Sequence, residues 1–124
     1  MQVCPSISIC VPAYKRVDYL IRLLDSIASQ QFRDFEVVLT DDSPDASVSE
    51  FCRKYADQMP LRYFKNDPVL GTPENWNEGI RQARGKWIKM MHDDDWFTDS
   101  LALTRFYDQT LKYPDCRFFF SAFR

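Results

Sequence analysis

No two cysteines in this 124-residue chain have CxxC spacing. The four, Cys4, Cys10, Cys52 and Cys116, have a single histidine, His92, to assist them, which argues against a structural zinc site. Cys10 and Cys52 fall on apolar faces and read as small buried hydrophobes, and the chain reads as reduced and cytosolic. No apolar run approaches the roughly 20 residues of a membrane span. The N-terminus lacks a basic segment followed by a long apolar one, so no secretory signal is visible. A basic excess is missing too: 16 basic residues against 18 acidic give a net charge of −2, which argues against nucleic acid as a partner. Repeats, low-complexity tracts and linker-like stretches are absent, so residues 1–124 read as one domain with one core.

What the chain does have is a regular alternation of two patterns. Ser6–Val11 alternates and then runs apolar, as a first strand does, and Pro12-Ala13-Tyr14 is expected to break it. Asp18 is placed to cap a helix whose inner face is Leu20, Leu23, Leu24 and Ile27. Residues 35–40 form a β-branched-rich second strand ending in Asp41-Asp42-Ser43-Pro44. Ser47 and Glu50 have capping-box spacing, ahead of Val48, Phe51, Cys52 and Tyr55. Residues 61–65 read as a third strand. Thr72-Pro73-Glu74 resembles a helix start, with Trp76, Ile80 and Ala83 as the inner face and Gly85 as the stop. A fourth strand over 86–91 runs into His92-Asp93-Asp94-Asp95. A last helix, capped by Thr98 or Ser100, carries Leu103, Phe106, Tyr107 and Leu111, and 117–121 reads as a fifth strand. This order implies an α/β fold, a mostly parallel sheet with helices on both faces. An uncovered last strand would be a sticky edge, open to self-association as a homo-oligomer, and suggests the first part of a longer protein.

The aspartates carry the chemistry. Asp41-Asp42 and Asp93-Asp94-Asp95 each end an apolar run, so both open onto the crevice at the carboxyl edge of the sheet, where open α/β sheets take ligands. Consecutive aspartates there can hold a hard divalent cation, Mg2+ or Mn2+, together with substrate phosphates, or simply form a solvated loop in which Asp95 or Asp99 caps a helix. Asp42 can accept from the N–H of a nucleobase or cap the next helix. Tyr14 can stack on a base or pack over the core edge. Asn75, in the first turn of the third helix, can reach a phosphate or serve as a cap. His92 reads as a metal ligand, an outer neighbour of one, or a structural residue; Trp76, Trp87 and Trp96 read as core or rim aromatics.

Three ordered segments, 8–16 (SICVPAYKR), 34–43 (DFEVVLTDDS) and 85–97 (GKWIKMMHDDDWF), with 71–80 (GTPENWNEGI) between the last two, resemble the family 2 glycosyltransferases of GT-A fold. The likeness runs from about residue 6 to residue 122. It implies transfer of a sugar from a nucleotide-diphosphate sugar, a UDP-sugar first, to a hydroxyl of a saccharide or lipid-linked acceptor, with inversion and a divalent metal. By the same resemblance Pro12, Ala13 and Tyr14 line the nucleotide pocket, Asp42 accepts from the base, Asp93 lies near the ribose and Asp94 binds the metal. His92 stands where the family's motif often begins with aspartate. The catalytic base is expected beyond Arg124, and a longer protein could associate with a membrane. Two other readings stand beside this one. The first is a non-catalytic nucleotide-sugar-binding or assembly module. The second is a phospho-accepting signalling domain, which wants an acidic pair after its first strand, where this chain has Pro-Ala-Tyr, and a lysine after its last, where it has Arg124.

Overall fold

A computed structural model describes residues 4–119, and in it the expected alternation forms a four-stranded, all-parallel sheet of order β3-β2-β1-β4. Along the chain run β1 (Ile7–Ala13), α1 (Val17–Ala28), β2 (Phe35–Asp41), α2 (Ser47–Cys52) with a 3-10 turn at Arg53–Tyr55, β3 (Leu61–Lys65), α3 (Glu74–Gln82), β4 (Trp87–Met90) and α4 (Ala102–Lys112). The central strands β1 and β2 are buried at every position, as parallel strands covered on both faces are.

The two faces of the sheet differ in chemistry. Ile7, Ile9, Val11 and Ala13 of β1 and Phe35, Val37 and Leu39 of β2 share one face. They form the core with Leu20, Leu23, Leu24 and Ile27 of α1, Val48, Phe51 and Cys52 of α2, and Leu103 of α4. The four α1 side chains are fully buried, each contributing about 1.5–3 kcal/mol relative to exposure. The other face carries Ser8, Cys10, Glu36, Val38 and Thr40, and α3 lies across it. The approach is closest at Gly79, where a Cβ would sit 3.5 Å from Cys10 Cβ and 3.7 Å from Thr40 Oγ1, in ordinary van der Waals contact.

Several expectations fail for physical reasons. Pro12 does not break β1; the strand runs on to Ala13, paired with Asp41. Residues 6 and 10 accept from β4, so by period-2 alternation position 12 faces the same way, but β4 pairing ends at Met90 and the missing N–H is not needed. Asp18 does not cap α1. It lies in the first turn and pairs with Arg16 at 3.1 Å. The proposed capping box at Ser47 is absent, because Asp45 Oδ1 accepts from both Ser47 N and Ser47 Oγ. Neither does Thr72 cap α3, which begins after Pro73 without a side-chain cap, nor Thr98 or Ser100 α4, where Asp99 Oδ1 accepts from Leu101 N. The inner face of α3 is Asn75 and Gly79, while Trp76 and Ile80 are exposed: the sheet face beneath is polar and close, and takes small or amide side chains. Gly85 does not stop α3, which ends at Gln82. It lets the chain pass beside β1, where a Cβ would come 2.5 Å from Ser8 N. On α4, Leu111 is exposed. Of the predicted fifth strand, residues 117–119 form none, and 120–121 lie outside the described residues.

Candidate functional site

The carboxyl ends of β1, β2 and β4 meet at one edge of the sheet. After Ala13, the chain turns sharply: Tyr14 O accepts from Arg16 N at 2.8 Å across Lys15, whose φ is +63°. This γ-turn with a left-handed centre is rare and costly for a non-glycine residue. It is held from below by Ser43, whose hydroxyl accepts from Lys15 N at 2.7 Å. The turn leaves the Tyr14 ring half exposed.

The two acids after β2 part company. Asp41, fully buried, turns away from the edge: its carboxylate accepts from Ser43 N at 2.8 Å and from the Tyr63 hydroxyl, with Lys65 Nζ 3.7 Å off. Asp42 turns toward the edge and gathers the segment after β3. Oδ1 accepts from Asn66 Nδ2 at 2.8 Å and Leu70 N at 3.1 Å, and Oδ2 accepts from Gly71 N at 2.9 Å. Gly71 supplies the left-handed φ of +75° that this requires. Asn66 Nδ2 also donates to Asn75 Oδ1 at 2.8 Å, and Asn75 Nδ2 to Thr40 O at 3.2 Å. Asn75 is thus buried in the floor, its amide engaged on both sides.

The acidic loop after β4 is fixed from behind by α1 and the residues just past its end. Ser26 Oγ accepts from Phe97 N at 3.0 Å, and the buried Gln30 side chain accepts from Leu103 N and donates to Asp99 O. Within the loop, Asp95 Oδ2 accepts from His92 N at 2.9 Å. His92, Asp94 and Asp95 bring one ligand atom each within 4.8 Å of one another. Asp93 is not in that set. Burial raises its carboxyl above the usual range and the Asp94 charge adds to that, while the Tyr14 backbone works against both. The His92 ring stacks on Trp76, with centroids 4.5 Å apart and planes at 36°.

Together these form a groove of about 580 Å3 that collects Pro12, Ala13, Tyr14, Asp42, Asn75, His92, Asp93 and Asp94 of the residues singled out from the sequence, but not Asp95. It adds Val69, Gly71, Thr72 and Trp76 to its lining. Trp76 was hidden by the assumption that an aromatic on a helix faces the core. The 66–71 segment was hidden because only a buried acid seeking donors pointed to it, and that need becomes visible once Asp42 is placed.

The family model for glycosyl transferase family 2 matches residues 8–116. The GalNAc(5)-diNAcBac-PP-undecaprenol beta-1,3-glucosyltransferase of Campylobacter jejuni is 33% identical over 93 residues, 73% of this chain and 30% of that protein. An uncharacterized glycosyltransferase of Haemophilus influenzae is 32% identical over 91 residues, again 73% of this chain and 30% of its own length. Among solved structures, S. aureus TarS 1-349 in complex with UDP-GlcNAc superposes with a TM-score of 0.81 at 27% identity, over 88% of this chain and 32% of that one. The chain therefore spans about 30% of the length of these two relatives.

Proposed function

The chain belongs to glycosyl transferase family 2 and has its GT-A fold, and from that premise we propose that the groove is the donor site of a transferase that passes a sugar from a nucleotide-diphosphate sugar to an acceptor hydroxyl with inversion. The observation that carries this reading is the convergence of Tyr14, Asp42, Asp93 and Asp94 on one groove at the carboxyl edge of a parallel sheet, where such sheets take ligands. Residues 1–124 serve in it as the donor-binding domain of a longer enzyme. Pro12 and Ala13 form the wall, and the half-exposed Tyr14 ring offers a face to the base, a contact worth about 1–3 kcal/mol. The Asp42 carboxylate has about four lone-pair positions. Three accept from its own chain, and one is left for an imide N–H such as that of uracil. That position suits a ring N–H donor, and the relative solved with UDP-GlcNAc supports a UDP-sugar as the choice. Asp93 faces the ribose side. Asn75 acts through Asn66 on Asp42, and its remaining amide hydrogen is the group available to a phosphate.

One imidazole and two exposed carboxylates, within 4.8 Å of one another, form a donor set that fits a divalent cation, Mg2+ or Mn2+, with Asp94 as the ligand proposed first. When bound, such an ion supplies positive charge to the departing diphosphate. The chain's own residues do the positioning: the base pocket and the ribose contact fix the donor, and a fixed donor shortens the search for the reactive geometry. Removal of the acceptor's proton is assigned to no residue of this groove, and the acceptor, saccharide or lipid-linked, is a matter for the rest of the enzyme.

Calorimetry tests the reading. UDP is expected to bind the protein in the presence of Mn2+, and Asp94→Ala is expected to weaken that binding tenfold or more. Binding indifferent both to the metal and to Asp94→Ala would overturn it. The 124-residue chain alone is expected to transfer sugar poorly or not at all, and robust turnover by it would overturn the assignment of the proton acceptor to residues elsewhere.

A further inference from the structure

We propose that Ser43 is a positioning residue for the donor's base, acting through the backbone turn at Lys15 that aims the Tyr14 ring. The inference rests on the donor-site reading above and adds to it the part of the chain that holds the stacking residue in place. Among the described residues, Lys15 is the one non-glycine residue with a positive φ. A lysine lacks glycine's freedom there, and such a conformation persists only where the surrounding structure enforces it. The Lys15 N–H donates to Ser43 Oγ at 2.7 Å, and the Arg16 N–H closes the turn on Tyr14 O at 2.8 Å. The turn also brings the Lys15 side chain back over its neighbour, with Nζ 5.2 Å from the centroid of the Tyr14 ring. A cation thus backs a ring whose surface is half exposed, within the range of a cation–π contact.

Ser43 is itself held firmly. It is 1% exposed. Its N–H donates to Asp41 Oδ1 at 2.8 Å, and its carbonyl accepts from Lys65 Nζ. Asp41 accepts in turn from the Tyr63 hydroxyl. The end of β1 is tied to the same place, because Asp42 N donates to Ala13 O at 3.0 Å. The two acids after β2 therefore divide the work. Asp42 faces the groove, while Asp41 holds the serine that holds the turn. This series of contacts runs from β3 through β2 to Tyr14, and so to the base side of the groove.

Calorimetry with UDP and, separately, with inorganic pyrophosphate, both in the presence of Mn2+ and well below the melting temperature, tests this. Ser43→Ala is expected to weaken UDP binding about fivefold and to leave pyrophosphate binding within about twofold of the wild type. In a Lys15→Gly background a positive φ costs little, so there Ser43→Ala is expected to weaken UDP binding by less than about twofold. Whatever Lys15→Gly costs by itself cancels in such a cycle. Lys15→Pro has no N–H and cannot take a positive φ. It breaks the turn from its exposed side, is expected to lose at least as much UDP affinity as Ser43→Ala, and decides the matter if Ser43→Ala does not fold. Unchanged UDP affinity in Ser43→Ala or Lys15→Pro, equal losses for UDP and pyrophosphate, or a Ser43→Ala loss undiminished by Lys15→Gly would overturn the role of Ser43 and leave the donor site standing. A wild-type protein that binds no UDP would overturn both.

Discussion

The side-chain amide of Asn66 lies 2.8 Å from the carboxylate of Asp42 and donates to it, with both groups buried. The same nitrogen donates to Asn75 Oδ1 at 2.8 Å, so one amide ties the end of β2, the segment after β3 and the first turn of α3. Asn66→Ala removes a donor from two buried acceptors, a loss that costs about 1–3 kcal/mol for each group left unpaired. The variant is expected to unfold at lower denaturant and to bind UDP about tenfold more weakly, as read by chemical denaturation and calorimetry. Asn66→Asp is expected to be worse at neutral pH, since it sets one carboxylate against another.

Gly85 marks a second tight place, at the far end of the same sheet. A Cβ there would lie 2.5 Å from Ser8 N and 2.8 Å from Ile7 C. Both are backbone atoms of a central strand, which cannot swing aside as a side chain can. Gly85→Ala is therefore expected to destabilise the fold by about 1–3 kcal/mol, the usual range for overpacking. The groove lies at the opposite edge, so UDP affinity measured well below the melting temperature is expected to stay within about twofold of the wild type.

These two positions show what a sequence displays and what it conceals. The leucines of α1 and the apolar runs of β1 and β2 were legible because burial against an apolar face leaves a period of 3.6, or a continuous run, in the residues themselves. The groove was legible for a related reason: apolar runs that stop in acids mark strand ends, and Tyr14, Asp42 and Asp94 all lie at such stops. The orientation of α3 was not legible, because it packs on Cys10 and Thr40. A helix on a polar sheet face buries Asn75 and Gly79 and leaves Trp76 and Ile80 to solvent, the reverse of what apolarity suggests. Asn66 was invisible because its partners stand 24 and 9 residues away, and no local period connects them.

The pH dependence of stability is expected to have its acid limb at Glu36. Burial raises the Glu36 carboxyl, but the Ser8 hydroxyl, the Arg84 N–H and the Arg62 guanidinium together outweigh it, and the net position is below the ordinary value of 4.5. A carboxyl held down in the folded state binds its proton more tightly when unfolded. Its stabilisation is fully present above about pH 4.5 and is lost as the pH falls through the lowered folded value. Denaturation followed from pH 6 to pH 3 is expected to show a shallower acid limb in Glu36→Gln than in the wild type. Asp45→Asn is expected to change that limb little, because Asp45 is exposed and its interactions are screened.

The base-stacking role proposed for Tyr14 can be separated from the rest of the groove. The Tyr14 ring is half exposed, and the residue's influence on Asp93 comes from the backbone, so truncating the side chain should leave both the fold and the acidic loop in place. Tyr14→Ala is expected to melt within a degree or two of the wild type and to lose about 1–3 kcal/mol of UDP binding, roughly 5- to 150-fold. Tyr14→Phe keeps the ring face and is expected to retain most of the affinity. Inorganic pyrophosphate with Mn2+, which has no base to stack, is expected to bind wild type and Tyr14→Ala alike. Equal losses for UDP and pyrophosphate would show that Tyr14 supports the phosphate side of the groove, and no loss for either would remove it from the site.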